Sequence, residues 1–442
     1  MNLTELSSLM QNAGVAGAGG AGFPSYAKLN AAADTIILNC AECEPLLKLH
    51  RQVLAKYANE ILATLTVIAD AVDAQSIIIA VKPHYTETVK AVEAVIANYP
   101  KAKIGLLPEV YPAGDEVVTI YETTGRVVRP GALPITVGVT VYNVETVYNI
   151  YRALHEAAPV TEKYVTVTGE VQNPITLKVP LGTAYSTLIA LAGGATVKDY
   201  KLVGGGPMTG RIVAESDVVT KTSNAILVLP SDHYVIRKKT SKITIDMKRA
   251  MAACCQCRMC TDLCSRHLLG HPIEPHLFMR SATSGVTKDL APFMNTMYCS
   301  QCGLCEMYAC GQGLSPRTLI GEYKNGLRAN GIKPDPNVEM GPVSENRSGR
   351  MVPVDRLTAR LGLSAYDKPA PIAEETVKPD VVKIMMSQNI GVPASPCVKL
   401  GDAVTVGEII GQAAQGKLSM PVHASISGTV VEVADKYIVI RA

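Results

Sequence analysis

The sequence predicts a multidomain α/β and α+β protein that ends in a small all-β module. Three observations predict it. Over the first 155 residues, short apolar runs alternate with helical stretches, the pattern of a parallel sheet. Eight of the twelve cysteines crowd into residues 243–330. Beyond residue 378 the chain turns to brief β runs broken by Gly-Asp and Gly-Glu turns, as in VKLGDAVTVGEIIG. The length of 442 residues suits about two to four domains. Hydrophobic residues at 48% against 18% charged can bury real cores and exclude wholesale disorder. The 42 basic and 39 acidic residues leave a net charge of +3. That balance argues against the strongly basic face a nucleic-acid binder needs.

From the N-terminus, Leu3, Leu6, Met10 and Ala13 share one helical face, expected to pack onto the next domain. No basic stretch leads into an apolar one, so no signal peptide is expected. The greasiest stretch, 61–81, carries Asp70 and Asp73 and fails the test of about 20 uninterrupted apolar residues. The protein is therefore expected not to be an integral membrane protein. Its cysteines are too sparse for a secreted disulfide scaffold, which places it in a reducing, cytoplasmic compartment.

The first domain is expected over 1–155. TIILNC (35–40) and SIIIAV (76–81) read as buried strands, with helices over 50–71 and 86–99. Residues 160–232 read as a compact α+β module: VTVTGEV, an Asn-Pro turn, ITLKV, then a helix over 184–192 ended by Gly193 and Gly194. GGGPMTG (204–210) reads as a tight loop. The cysteine-rich domain is expected over 243–330. Pro, Gly, Asn and charge mark 331–375 as a connector. The all-β module follows over 376–442.

Cys254, Cys257, Cys260 and Cys264 form C-x2-C-x2-C-x3-C, and Cys299, Cys302, Cys305 and Cys310 form C-x2-C-x2-C-x4-C. Two-residue spacers let one tight loop aim three sulfurs inward at a 4Fe-4S cluster. In two-cluster ferredoxins the fourth cysteine of each run serves the other cluster. That pattern assigns Cys254, Cys257, Cys260 and Cys310 to one cluster, and Cys299, Cys302, Cys305 and Cys264 to the second. Ser265 and Gly311 stand where proline commonly follows, and the second run has one extra residue. Zinc is the alternative that paired C-x2-C units also allow. His267, His271 and His276 are expected to be ordinary helix or loop residues. Arg258 and Arg266 lie close enough in sequence to raise a cluster's potential. Of the other four cysteines, Cys40 reads as a strand-end core residue and Cys397 as structural. Cys255 should point away from the cluster that Cys254 faces.

Residues 14–24, GVAGAGGAGFP, are glycine-rich. Missing side chains let backbone N–H groups approach a phosphate, although no clear strand precedes this loop as the dinucleotide fingerprint requires. LNCAECEP (38–45) follows a strand, where ligand groups collect in α/β sheets. YPAGDE (111–116) and YNVET (142–146) add two polar loops. These four segments resemble the flavin-binding component of NADH dehydrogenases of the complex I type. They are closer still to the family that joins the RnfC component of Rnf complexes and the cobalamin reductases of propanediol utilisation. Its motifs G-x-G-G-A-G-F-P, N-x-x-E-x-E-P, Y-x-x-G-D/E-E and N-V-E-T line an FMN and the facing NADH pocket.

The resemblance implies cofactor-binding roles for Gly17, Gly19, Gly20, Lys28, Asn39, Glu42, Glu44, Tyr111, Gly114, Asp115, Glu116, Asn143 and Glu145, with Glu42 and Glu44 orienting the nicotinamide side. Cys43, within the same loop, should lie near flavin. Ala18 and Ala41 depart from the complex I pattern, which has Arg and Asp there. The resemblance extends to residues 160–232 as an SLBB β-grasp domain, to a ferredoxin-like dicluster domain, and to a C-terminal barrel-sandwich hybrid. Lys417, without the flanks of a biotin acceptor, is expected to be a turn residue. The barrel at the C-terminus matches the cobalamin reductases; RnfC proteins carry it first.

The implied activity is an NADH-dependent oxidoreductase with FMN and two 4Fe-4S clusters. NADH yields two electrons together and clusters carry one, so a flavin must stand between them. The expected acceptor is cobalamin, taken from cob(III)alamin or cob(II)alamin towards cob(I)alamin. The alternative is an Rnf-like exchange between NAD and ferredoxin or another protein carrier. The family further implies a bacterial microcompartment lumen, with an adenosyltransferase and shell proteins as partners.

Overall fold

The computed structural model describes residues 1–285 and 288–442. The first sheet is all parallel in the order β3-β2-β1-β5, from β1 (Thr35–Cys40), β2 (Ser76–Val81), β3 (Ala102–Leu106) and β5 (Val139–Asn143). Both faces are covered, which is why β1 and β2 read as continuous apolar runs. Alternate residues go to opposite sides. Ile36, Leu38 and Cys40 pack with α1 (Leu3–Asn12), α2 (Leu49–Lys56), α3 (Ala58–Val72) and α6 (Val144–His155). Ile37, Ile78 and Val141 pack against α5 (Glu116–Thr124). Leu6 and Met10 are fully buried, as the amphipathic pattern of α1 requires. The single helix expected over 50–71 is two helices, broken at Tyr57 (φ −126°, ψ 35°). The break lets the Tyr57 ring stack on Tyr148 at 4.1 Å and its hydroxyl meet that of Tyr164 at 3.2 Å.

Tyr164 belongs to the next sheet, ordered β7-β6-β10-β8-β9. Its strands are β6 (Glu162–Gly169), β7 (Ile175–Pro180), β8 (Tyr200–Gly204), β9 (Arg211–Val213) and β10 (Ala225–Pro230), with α7 (Tyr185–Leu191) beside them. Val165, Val167, Leu177 and Leu188 run into the same core as Leu6 and Leu38, so the first two domains are packed as one body. After α8 (Tyr234–Lys239), the cysteine-rich domain is built from α9 (Ile243–Ala253), helices Pro275–Ser284 and Pro316–Ala329, and several one-turn helices. Its core is Ala250, Phe278, Met279, Leu319 and Ile320, with Phe278 edge-on to Tyr323 at 5.2 Å.

Residues 331–375 are more than the expected connector. Val352–Pro353 pairs antiparallel with β4 (Val110–Tyr111), and Leu357, Leu361 and Leu363 are fully buried in a core with Tyr111 and Met208. These few leucines are diluted by prolines and charges, so composition hid them. The C-terminal module packs a four-stranded against a three-stranded sheet around Ile384, Ile410, Val430 and Ile438, without closing a barrel. It docks on the second domain through Lys383 N–H to Gly182 O (3.0 Å) and Ser425 Oγ–H to Leu181 O (2.6 Å). No helix among the described residues is long and apolar enough to cross a membrane.

Candidate functional site

The parallel register sets Asn39 of β1 directly beside Asn143 of β5, at the carboxyl ends of the strands. Ligands collect in that crevice of an α/β sheet. Asn143 caps α6 by accepting from Glu145 N–H (3.0 Å), and its amide meets the His50 ring at 3.3 Å. Asn39 donates to Gly114 O (3.0 Å) and accepts from Ala41 N–H (3.1 Å). Gly19 fits tightly against this pair. A Cβ there would lie 2.3 Å from Asn143 Nδ2 and 3.2 Å from His50 Cε1. Gly20 beside it faces open space.

A cleft of about 1160 Å³ opens from these residues. Gly19, Gly20, Asn39, Glu42, Glu44, Tyr111, Gly114, Asp115 and Asn143 line it. Ser300, Gln301, Cys302 and Arg317 line it too, together with Lys383 and Ser387 of the C-terminal module. With Gly204, Thr209 and Thr220 of the second domain, all four domains thus contribute to one wall system. A bare glycine loop under backbone amides and a helix N-terminus, opening into so large a space, fits a phosphorylated ligand such as FMN.

Four of the expected site residues do not line the cleft. Gly17 pairs its N–H with Phe23 O (2.9 Å) and shapes the loop. Lys28 bonds Glu116 (3.2 Å) and Val141 O (2.9 Å). Glu145 is buried in an ion pair with Lys163 and accepts from Tyr164 N–H (2.9 Å), so it clamps the first domain to the second. Burial pulls the Lys163 pKa down while Glu145 opposes the fall.

Glu42 and Glu44 line the cleft, yet both carboxylates are engaged by the chain itself. Glu42 accepts from His50 N–H (2.7 Å) and Arg51 N–H (3.2 Å), capping α2. Burial raises its pKa, against Arg51 and those amides. Glu44 accepts from Met208 N–H and Thr209 N–H, both at 2.8 Å, and so holds the 204–210 loop. A Cβ on Gly206 would strike the Glu44 carboxylate at 2.2 Å, which explains one glycine of that loop. Cys43 Sγ accepts from Gly114 N–H (3.3 Å), and burial pushes its thiol up to about 11. His50 is neutral, held down to about 3 by burial and by Lys163.

The two cysteine loops share one backbone trick. Gln256 and Arg258 of the first (φ 56° and 65°) and Gln301 and Gly303 of the second (φ 61° and 83°) occupy matching left-handed positions. That alternation, uncommon outside glycine, curls each loop the same way. Burial raises the Cys260 thiol to about 12, with Cys310, Cys257 and Cys254 adding to it. Burial likewise raises Cys302, with Cys264 and Cys299 adding, and Cys305, with Cys299 and Cys302 adding. Cys260 thus feels Cys254, Cys257 and Cys310, and Cys302 feels Cys264 and Cys299, while Cys305 feels Cys260 as well as Cys299 and Cys302, so the eight thiols adjoin one another. All-thiol sets of four suit iron–sulfur clusters. Among the described residues, no group of three or more His, Cys, Asp or Glu is placed to hold a single metal ion.

Two contacts tie the second neighbourhood to the first domain. Tyr111 O–H donates to Cys302 O (2.5 Å). Arg266, two residues from Cys264, forms an ion pair with Asp115, reaching Oδ1 at 2.8 Å and Oδ2 at 3.0 Å, and the same Oδ1 caps α5 by accepting from Val117 N–H (3.0 Å). Arg266 is thus a structural bridge as well as a charge near a thiol. His271 also joins the domains, donating to Val128 O (2.9 Å). Sequence reasoning missed His50 and Arg317 as cleft residues. Neither sits in a motif; the buried Arg317 Nε has no hydrogen-bond partner among the described residues.

Comparison with known proteins agrees with this geometry. Family profiles match a Nuo51 FMN-binding domain over 10–152, an SLBB domain over 164–212, a 4Fe-4S dicluster domain over 253–315 and an RnfC barrel sandwich hybrid domain over 365–441. An FMN-binding α/β domain joined through one cleft to a dicluster iron–sulfur domain defines an electron-transfer oxidoreductase. The chain is 41% identical to the cobalamin reductase PduS of Citrobacter freundii, over 97% of this chain and 94% of that one. It is 39% identical to the cobalamin reductase PduS of Salmonella typhimurium, over 100% and 97%. It belongs to the PduS cobalamin reductase family. A component of the Na(+)-translocating ferredoxin:NAD(+) oxidoreductase complex of Acetobacterium woodii is 31% identical over 61% of this chain and 59% of its own. Among solved structures, an NAD+-reducing NiFe-hydrogenase in the H2-reduced state shares the fold, with TM-score 0.50 and 19% identity over 76% of this chain and 64% of that chain.

Proposed function

We propose that this chain uses NADH to reduce cobalamin, from cob(III)alamin or cob(II)alamin towards cob(I)alamin. The observation that carries the reading is the single cleft lined both by Gly19, Gly20 and Asn143 and by Cys302. When bound, FMN takes two electrons together and releases them singly, and 4Fe-4S clusters carry them one at a time. The Gly19 and Gly20 backbone and the α6 N-terminus would hold the FMN phosphate. Cys254, Cys257, Cys260 and Cys310 would hold one cluster, and Cys299, Cys302, Cys305 and Cys264 the other. Glu42 and Glu44 act as positioning residues: they fix α2 and the 204–210 loop, which wall the space for the nicotinamide. Neutral His50 and the Asn39 and Asn143 amides supply polar contacts without a proton to lose. By its family, the chain works in the cytoplasm within a microcompartment lumen, beside an adenosyltransferase and shell proteins.

A second reading has its own support in the 31% identity to a component of a ferredoxin:NAD(+) oxidoreductase complex. In it, electrons pass between NAD and a protein carrier. Anaerobic reconstitution with iron, sulfide and FMN, followed by NADH, separates the two. Rapid formation of cob(I)alamin supports the first reading; ferredoxin reduction without cobalamin reduction overturns it.

A further inference from the structure

Around the first cysteine loop the surface changes character. From Lys242 to Met259 all residues but Asp246, Met247, Ala250 and Cys254 are exposed. Four large apolar side chains stand in solvent there, Ile243, Ile245, Met251 and Met259, with Ile245 51% and Met251 61% accessible. Of these, Ile245 stands on the outer face of α9, whereas Ile243 and Met251 lie to other sides of the helix. Lys242, Lys248 and Arg249 are exposed among them, as is Arg258, which pairs with Asp262 at 3.7 Å. The one acidic residue in the stretch, Asp246, points inward, is 3% accessible and accepts from Ser241 Oγ (2.7 Å). Ile245, Lys248, Arg249 and Ala252 fall on one face of α9, opposite the buried Asp246 and Ala250. At the end of this face lies Cys257, an exposed member of the thiol group that does not touch the cleft.

We propose that α9 and the Cys254–Met259 loop form the docking face for a small acidic protein that carries one electron. The basic rim selects an acidic partner and speeds its approach, and the apolar centre gives a brief, small interface suited to a redox encounter. The Cys257 end is then where electrons leave. One NADH and two oxidised carriers give NAD+, one proton and two reduced carriers, each carrier gaining one electron. The inference rests on the cluster assignment of the proposed function and adds a protein acceptor to it.

The test uses the full reconstituted chain and, as probe, an acidic plant-type ferredoxin. Binding is read by titration at 50 mM and 300 mM salt, and the contact by amide hydrogen exchange. The expected result is binding that weakens at least tenfold between the two salt levels, with protection over 242–259. The variant K242E/K248E/R249E should weaken binding at least tenfold at low salt. The milder Lys248→Gln with Arg249→Gln should weaken it in the same direction. Reduction of ferricyanide by NADH should stay at the wild-type rate in both. Salt-independent binding, no binding, or protection at the cleft mouth instead overturns the proposal. So does protection of 242–259 in the absence of carrier that grows with protein concentration, since a second copy would then cover the face. If NADH fails to reduce the reconstituted chain, the proposed function fails, whereas the docking face is judged on binding alone.

Discussion

Cys302 packs beside the core that Tyr111 of the flavin-binding domain shares, whereas Cys254 and Cys257 follow the end of α9 and Cys257 is exposed. The two loops have the same spacing and the same left-handed residues, yet their surroundings diverge. Cys305 is 9% accessible and Cys302 packs beside a core that includes Tyr111 and Leu304. Cys257 is exposed. A repeated motif therefore secures only the local curl of the chain. What packs on each copy makes one an inner site and the other an outer one, and cluster potential follows hydrogen bonds, charge and exposure.

That contrast can be broken most severely at the thiols. Cys302→Ser should lower NADH-driven cobalamin reduction at least about 100-fold, while NADH reduction of ferricyanide persists. Iron analysis and electron paramagnetic resonance should show one cluster lost. Cys257→Ser should remove the other cluster's signal and leave the inner one. Loss of both signals from either change would mean that the sites are not independent.

A smaller effect is expected at the inner joint. Arg266→Ala leaves Asp115 without its cation in a largely buried place and should cost about 3 kcal/mol, read by denaturant unfolding. An unchanged midpoint would assign the ion pair no structural weight.

The same joint should be sensitive to acid. Burial lowers the His271 pKa from 6.5 to about 4. Below pH 6.5 the unfolded histidine takes up a proton that the folded one refuses until about 4. Stability is therefore retained above pH 6.5 and falls across that window, by up to about 1.4 kcal/mol per pH unit. His271→Gln, which keeps a donor for Val128 O, should flatten that slope in thermal unfolding between pH 6.5 and 4. A wild-type slope in the variant would exclude His271 as the cause.

The gentlest probe is Tyr111→Phe, which removes one hydrogen bond to Cys302 O. It should cost about 1 kcal/mol and shift the inner cluster's signal while sparing the outer. A shift in both signals would show that the contact acts on the domain as a whole.

Much of this could be read from the chain. β1 and β2 were legible because strands buried on both faces are continuous apolar runs. The dicluster domain was legible because cysteine spacing is a local property. The break at Tyr57 was not, since it answers to Tyr148 and Tyr164, far along the chain. Leu357, Leu361 and Leu363 were hidden by their charged and proline-rich neighbours. Glu42 and Glu44 were visible as carboxylates after a strand, but their partners at His50, Met208 and Thr209 could not be.

The order of residues alone establishes the kind of domain at each place, because backbone freedom, apolar period and thiol spacing are set within a few residues. It takes the folded molecule to place Asn39 beside Asn143, to bring Cys302 into one cleft with Gly19, and to shelter one cysteine loop while leaving the other open. Those relations depend on strand register and domain packing, which join residues hundreds of positions apart.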